Sequence, residues 1–287
     1  MMPRLFQGIR AAAGRRRAMP GGRLSRLAAG GLLGALLGAA LLAPLPPGAL
    51  AADEHSHETP RPPHAGLSFQ RMFGSFDRAA AQRGLQVYRE VCSNCHSLRL
   101  LSYRNLRQIG LSDAEVRAVA AAVQVQDGPN DEGAMFERPG RPSDRFRSPF
   151  PNEQAARAAN NGALPPDLSL IVKAREDGAN YVHALLTGYA DPPAGVTLQQ
   201  GMNYNTFFPG HQIAMAPPLT AAGQVQFPNM PDASVDQMAR DVTTFLAWAA
   251  EPELEARRAM GVRIVIFLCI LAGLAYAVKR KVWADAH

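Results

Sequence analysis

The chain has 287 residues, enough for one large domain or two small ones, and its formal net charge is +6. That charge sits at the ends: residues 1–51 hold seven arginines and no acid, residues 253–287 hold six lysines or arginines against three acids, and the stretch between holds 17 basic and 21 acidic residues. A mildly acidic body lacks the basic face that phosphate binding requires, which argues against nucleic acid as a partner, and it suits the steering of a basic soluble protein.

The N-terminus has the form of a secretory signal. Arg4, Arg10, Arg15, Arg16, Arg17, Arg23 and Arg26 make a positive region, Leu27 to Leu45 is an apolar core, and Ala49-Leu50-Ala51 is a small-x-small cleavage site. The mature chain is expected to begin near Ala52. A retained anchor is the weaker reading, because glycines and Pro44, Pro46 and Pro47 interrupt the run. Residues 53–76 contain His55, His57, His64 and several prolines. A histidine tract can bind metal, but this one reads more simply as a flexible start to the exported body.

Asp77 caps a predicted helix from Arg78 to about Val91. Leu85, Tyr88, Val91 and Cys95 recur at helical spacing, so one face packs inward and the helix delivers Cys92-Ser93-Asn94-Cys95-His96 at its end. Two thiols one turn apart can add to the two vinyl groups of one porphyrin. The imidazole that follows then lies under the ring, where it can bind the iron; this is the attachment pattern of a c-type haem. A zinc site would need two more ligands, and the one other cysteine, Cys269, lies far away in an apolar run. A thioredoxin-like site would want a βαβ pattern, and none is visible.

Leu98, Leu100, Leu101 and Tyr103 are expected to line the pocket edge. A short helix is predicted around Ser112 to Val123, with Ser112 as cap and Glu115 at the capping-box position. Residues 126–168 are rich in Gly, Pro and Asp, a density of breakers that excludes long helices or strands. Such a loop is either a surface insertion or a partner-binding surface. Within it Asn152 to Asn160 can form a helix, and Leu164-Pro165-Pro166-Asp167-Leu168 is a rigid turn leading to Ser169–Ala174. Tyr181 to Thr187 reads as another short helix stopped by Gly188, and Gly201 to Phe208 shows no clear period.

A haem held by one histidine leaves the opposite iron position for Met, for His or for a substrate. The body offers Met135, Met202, Met215, Met230, Met238, His183 and His211. Met215 stands out in Ile213-Ala214-Met215-Ala216-Pro217-Pro218-Leu219, where small neighbours allow close approach and two prolines lock the backbone. A thioether favours Fe(II), raises the reduction potential and suits electron transfer. Met238 falls on the apolar stripe Met238, Val242, Phe245, Leu246, Ala249 of a helix predicted from Val235 to Ala249, with Ser234 as cap and Glu251-Pro252 as stop, which is a core pattern.

A second apolar run, Ile264 to Val278, extends to Ala259 if Arg263 is allowed inside, and Lys279-Arg280-Lys281 closes it. Twenty helical residues span about 30 Å, the hydrocarbon thickness of a bilayer. Positive residues flank both sides, so the export signal decides the orientation: body outside, short tail in the cytoplasm. The haem domain is thus expected to sit against the bilayer rather than on a long tether.

These residues together resemble the cytochrome c1 family. The resemblance rests on Gly84-Leu85-Gln86-Val87-Tyr88 before the haem motif, on Gln126-Asp127-Gly128-Pro129, and on Ala158-Ala159-Asn160-Asn161-Gly162-Ala163-Leu164-Pro165-Pro166-Asp167-Leu168-Ser169. It also rests on Leu185-Leu186-Thr187-Gly188-Tyr189, on Met215-Ala216-Pro217-Pro218, and on Thr244-Phe245-Leu246-Ala247-Trp248-Ala249-Ala250-Glu251-Pro252. The family implies a mainly α, class I cytochrome c-like haem domain with long irregular insertions and one C-terminal transmembrane helix. It implies one covalently bound haem c, held by Cys92 and Cys95, with His96 and Met215 as axial iron ligands. It also implies that Arg175 pairs a haem propionate, where the residue alone would read as a solvated surface charge.

The implied organisation is a cleaved signal (1–51), a periplasmic haem domain (52–255) and a membrane anchor with a short cytoplasmic tail (256–287). The implied location is a bacterial inner membrane. The implied role is the non-catalytic electron-relay subunit of ubiquinol–cytochrome c oxidoreductase, in a dimeric complex with cytochrome b. It would take an electron from the Rieske iron–sulfur protein and pass it to a soluble c-type cytochrome. A haem enzyme with an open iron site and a purely structural anchor are the competing readings.

Overall fold

The computed structural model describes residues 59–284; the expected signal segment, the first residues of the expected body and the last three residues lie outside them. Helix α1 (Arg78–Glu90) starts where the sequence places it, with the Asp77 carboxylate accepting from the Ala80 N–H. It stops before the cysteines, which occupy a separate 3-10 turn, Cys92–Asn94. After another 3-10 segment, Tyr103–Ile109, comes α2 (Asp113–Ala121), opened by the Ser112/Glu115 capping box.

Strands β1 (Gln124–Asp127) and β2 (Phe136–Pro139) then form an antiparallel hairpin, with Gln124 opposite Pro139 and Asp127 opposite Phe136. Neither is long, but the hairpin has no counterpart in the sequence reading. Both strands are largely exposed, so no apolar alternation marks them. Arg138 holds the hairpin by pairing with Asp127 and Asp144.

Helix α3 (Glu153–Ala159) is capped by Asn152. Helix α4 (Gly178–Thr187) begins three residues before the predicted Tyr181, where Asp177 at φ 58° turns the chain into it. The aperiodic stretch that follows contains a two-residue ladder, β3 (Asn203–Tyr204) against β4 (Gln212–Ile213). Helix α5 (Val235–Ala250) has the expected Ser234 cap, and α6 (Leu254–Val282) follows after only three residues.

The core is organised on α1 against α5, with α4 beside α5. A Cβ on Gly84 would stand 2.0 Å from the Asp241 carbonyl oxygen, so the two backbones meet where only glycine fits. Around that contact Leu85, Tyr88, Met238, Val242, Phe245 and Trp248 are buried, with Tyr88 and Phe245 rings 5.9 Å apart. Each such side chain contributes roughly 1.5–3 kcal/mol through burial, which makes this helix pair the main support of the turn at the end of α1. Arg83 grips Asp241 across it, donating from Nε and Nη2 at 2.7 and 2.8 Å.

One expectation is corrected here. Leu98, Leu101 and Tyr103 do not line a pocket edge but are buried in this core, and Leu100 is exposed. The turn closed by Leu101 N–H to the Leu98 carbonyl, and the stacking of Tyr103 on Phe146 at 4.4 Å, carry them inward.

Helix α6 is long and apolar enough to cross a membrane, and its side chains from Val262 to Val282 lie exposed. The architecture is therefore mainly helical, with long irregular segments and one apolar C-terminal helix.

Candidate functional site: a c-type haem centre

The motif turn is built from the end of α1. The His96 and Cys95 N–H groups both donate to the Cys92 carbonyl, at 2.9 and 3.1 Å, so the two thiols and the imidazole share one tight turn. The residues between the thiols fix it. Ser93 Oγ donates to the Arg89 carbonyl at 2.7 Å and Asn94 Nδ2 reaches the Glu90 and Val91 carbonyls, satisfying acceptors that the helix end leaves open. Cys92 is half-buried against the core and Cys95 is exposed; both are free thiols, and burial pushes Cys92 up to about 12.

His96 is held from two sides. Tyr88 donates its hydroxyl to the His96 carbonyl at 3.0 Å, and His96 Nδ1 lies 2.8 Å from the Pro166 carbonyl. A carbonyl oxygen only accepts, so Nδ1 carries the proton and the lone pair is on Nε2. Burial lowers the imidazole pKa against the opposing pull of the Pro166 carbonyl and Asp167, favouring the neutral ring that a metal requires.

Asp167 locks the segment behind His96. Its Oδ2 accepts from Ser97 Oγ at 2.7 Å and Arg99 N–H at 2.9 Å, and its Oδ1 accepts from Ser169 N–H at 2.9 Å. Burial pushes this carboxyl up, but the hydrogen bonds from Arg99, Ser169 and Ser97 outweigh it and hold it below the usual carboxylate range. A cavity of about 730 Å³ opens beside the turn, lined by Cys95, Arg147, Phe150, Ala156, Pro165 and Pro166 among others.

Met215 is half-buried on a second, separate support. Its carbonyl accepts from the Tyr189 hydroxyl at 3.0 Å and from Asn203 Nδ2 at 3.4 Å, and Asn203 pairs with Ile213 in the β3–β4 ladder. Of the rival ligands, Met202 is half-buried like Met215 and Met230 is 37% exposed. Met238 is fully buried in the core, Met135 is 54% exposed, and His183 Nε2 lies 2.9 Å from Asp236 Oδ1. His211 stacks on Tyr204, with its Nδ1 3.3 Å from the Asn205 carbonyl.

Arg175 is exposed and donates to the Ala174 carbonyl. Burial pushes the Tyr181 phenol up, against the opposing pull of the Arg175 charge, and burial also raises Tyr189. No hydrogen bond or ion pair among the described residues joins Arg175 or Met215 to the Cys92–His96 set.

Tyr88, Tyr189, Asp167 and the Pro166 carbonyl were not marked by the sequence as site residues. The rigidity of Pro165-Pro166 was visible, but nothing in spacing ties residue 166 to residue 96.

Two unpaired thiols on one turn, a neutral imidazole with Nε2 open and a thioether on a proline-locked loop are the donor set that a covalent haem c takes. With α6, they define a membrane-bound c-type cytochrome.

Residues 67–286 match the Cytochrome C1 family. The chain is 50% identical over 237 residues to the protein named cytochrome c1-2, heme protein, mitochondrial, of Solanum tuberosum, covering 81% of this chain and 89% of that one. It is 42% identical over 234 residues to cytochrome c1 of Rhodospirillum rubrum, covering 76% and 86%. It is 51% identical over 249 residues to cytochrome b/c1 of Bradyrhizobium diazoefficiens, covering 79% of this chain but 36% of that longer protein. The chain belongs to the cytochrome c1 family, and its prosthetic group is a covalently bound haem c.

Proposed function

We propose that this chain is the haem-bearing electron relay of a membrane-bound quinol–cytochrome c oxidoreductase. It takes one electron from a Rieske iron–sulfur protein and passes it to a soluble c-type cytochrome, in a dimeric complex with cytochrome b. The observation that carries the reading is His96 with Nδ1 committed to the Pro166 carbonyl and Nε2 free, on the same turn as two unpaired thiols. Family membership across residues 67–286 supports the relay role, and the joined name of the Bradyrhizobium relative supports cytochrome b as partner.

Cys92 and Cys95 would supply the two thioether links, His96 Nε2 and Met215 Sδ would bind the iron, and Arg175 would offer a cation to a propionate. Bound haem supplies a one-electron couple. The protein keeps its ligands still: Tyr88 and Pro166 fix His96, and Tyr189, Asn203 and Pro217 fix Met215. Still ligands would keep reorganisation small, and a thioether ligand beside the imidazole would raise the potential. The acidic body suits a basic acceptor, and that encounter weakens with salt. Residues 1–51 act as the export signal, 52–255 as the periplasmic domain, and 256–287 as the anchor and tail of a single-pass bacterial inner-membrane protein.

Purification in mild detergent tests the reading. A low-spin haem that stays attached after denaturation and co-purifies with cytochrome b and a Rieske protein is expected. Rapid binding of carbon monoxide or cyanide would instead favour an open-site haem enzyme. Met215→Leu should lower the reduction potential sharply; an unchanged potential would move the sixth ligand elsewhere.

A further inference from the structure

We infer that the loop Phe69–Gly74 is a second membrane contact, whose tip, Met72 and Phe73, inserts into the lipid interface beside α6. Met72 is 80% exposed and Phe73 is 79% exposed, adjacent large apolar residues left open to solvent outside α6. Neighbouring apolar residues of the same segment do the opposite: Leu67, Phe69 and Phe76 are buried, and the Phe69 and Phe76 rings lie 5.0 Å apart.

The loop is a rigid device rather than a loose excursion. Gly74 N–H donates to the Arg71 carbonyl at 3.0 Å and Ser68 Oγ to the Ser75 carbonyl at 2.8 Å. A Cβ on Gly74 would stand 2.0 Å from the Ser68 carbonyl oxygen, so the closure depends on glycine. Two adjacent apolar side chains held on a closed loop gain no burial from the described residues, which leaves them available to an apolar phase outside the domain.

Which phase that is follows from how the loop is mounted. Arg258 Nη1 donates to the Phe69 and Gly74 carbonyls, at 2.9 and 2.6 Å, clamping both ends of the loop. One turn earlier on α6, Glu255 accepts from the Phe76 N–H at 2.8 Å and pairs with Arg78 at 2.6 Å. The loop is therefore fixed to the first two turns of the helix that crosses the membrane. At 1.5 Å per residue, about 16 Å of helix separates Arg258 from Cys269, half of a hydrocarbon core about 30 Å thick. Arg258 thus stands at the level of the headgroups, and the loop one side chain away.

The chemistry agrees. Arg71, next to the tip in sequence, and Arg257, next to the clamping Arg258 on α6, are exposed cations that suit anionic headgroups. Two side chains are too small for a stable protein interface, which buries roughly 800 Å² on each partner. The inserted loop would hold the haem domain at a fixed attitude to the bilayer instead of leaving it to swing on α6.

The inference rests on α6 spanning the membrane, and the test separates the two. Full-length haem-loaded protein is placed in phosphatidylcholine–phosphatidylglycerol nanodiscs with a nitroxide on native Cys269, or on Phe73→Cys or Asp131→Cys in a Cys269→Ser background. Collision with oxygen and with a water-soluble nickel chelate is then measured. The position-73 label should be several-fold less accessible to nickel than the position-131 label, which lies on an exposed turn. Met72→Cys replaces it if the haem spectrum of the first variant is lost. A position-73 label as open to nickel as position 131, with the Cys269 label deep, overturns the inference alone. A Cys269 label open to nickel overturns the spanning helix and the inference with it. Protection at position 73 only when cytochrome b is bound overturns it in favour of a protein partner.

Discussion

Gly84→Ala sets two opposed effects against each other at the contact between α1 and α5. In an isolated helix alanine is favoured over glycine by about 1 kcal/mol. Here the new Cβ would meet the Asp241 carbonyl oxygen at 2.0 Å, its carbonyl carbon at 2.6 Å and the Phe245 Cβ at 2.8 Å. Ordinary contact needs roughly 3.4 Å, and since two of the three atoms are backbone no side-chain rotation relieves them. The helices must part by more than about 1 Å, and a gap of that size forfeits a quarter to a half of the dispersion energy across the packed face. Overpacking of this kind costs about 1–3 kcal/mol, so the steric term wins. The assay is denaturant unfolding of the haem-loaded protein in detergent, followed by near-ultraviolet dichroism. The expected result is a lower midpoint with an unchanged slope. Gly261→Ala, in α6 with open space for a Cβ, serves as the control that carries the helix-propensity gain without the clash. A midpoint for Gly84→Ala equal to or above that of the parent would refute the close backbone contact.

Arg83→Met leaves the Asp241 carboxylate, 0% exposed, with only Gln237 as partner and should cost about 3–5 kcal/mol at neutral pH. Burial already holds Asp241 above the usual carboxylate range despite Arg83, so the folded state takes up its proton first. The group's contribution therefore falls as pH rises, and the cost of the variant should be smaller near pH 4 than at pH 7, measured as unfolding free energy at both. Asp167 has the opposite sign: its depressed pKa contributes stability that is present above about pH 4 and lost as pH falls further. Asp167→Asn should be less stable at neutral pH and flatter in its acid unfolding profile; an unchanged profile would remove the carboxylate as the lock behind His96. Tyr189→Phe removes the 3.0 Å hydrogen bond to the Met215 carbonyl and should cost about 0.5–1.5 kcal/mol. It should also loosen Met215, the proposed sixth ligand, read as faster carbon monoxide binding, whereas a parent-like rate would make Tyr189 a packing residue only.

Much of this protein follows from local sequence, because local chemistry suffices for it. The Asp77, Ser112, Asn152 and Ser234 caps need only residues a few positions apart, and all four helices begin at them. The length and apolarity of α6 are properties of a continuous segment. The thiol turn is likewise local, since Cys92, Cys95 and His96 are set by spacing and by bonds to the helix end just before them.

Tertiary structure decided the rest, because it depends on partners far apart in the chain. The His96 tautomer is set by residue 166, and the Met215 backbone is held by residues 189 and 203. Leu98, Leu101 and Tyr103 turn into the core because Phe146 and α1 wait there, which no pattern near residue 100 reveals. The clamp of Arg258 on Phe69 and Gly74 joins residues almost two hundred apart. Sequence named the candidate atoms for a haem; the long-range hydrogen bonds fixed which His96 nitrogen carries the proton and tied the Phe69–Gly74 loop to the start of α6.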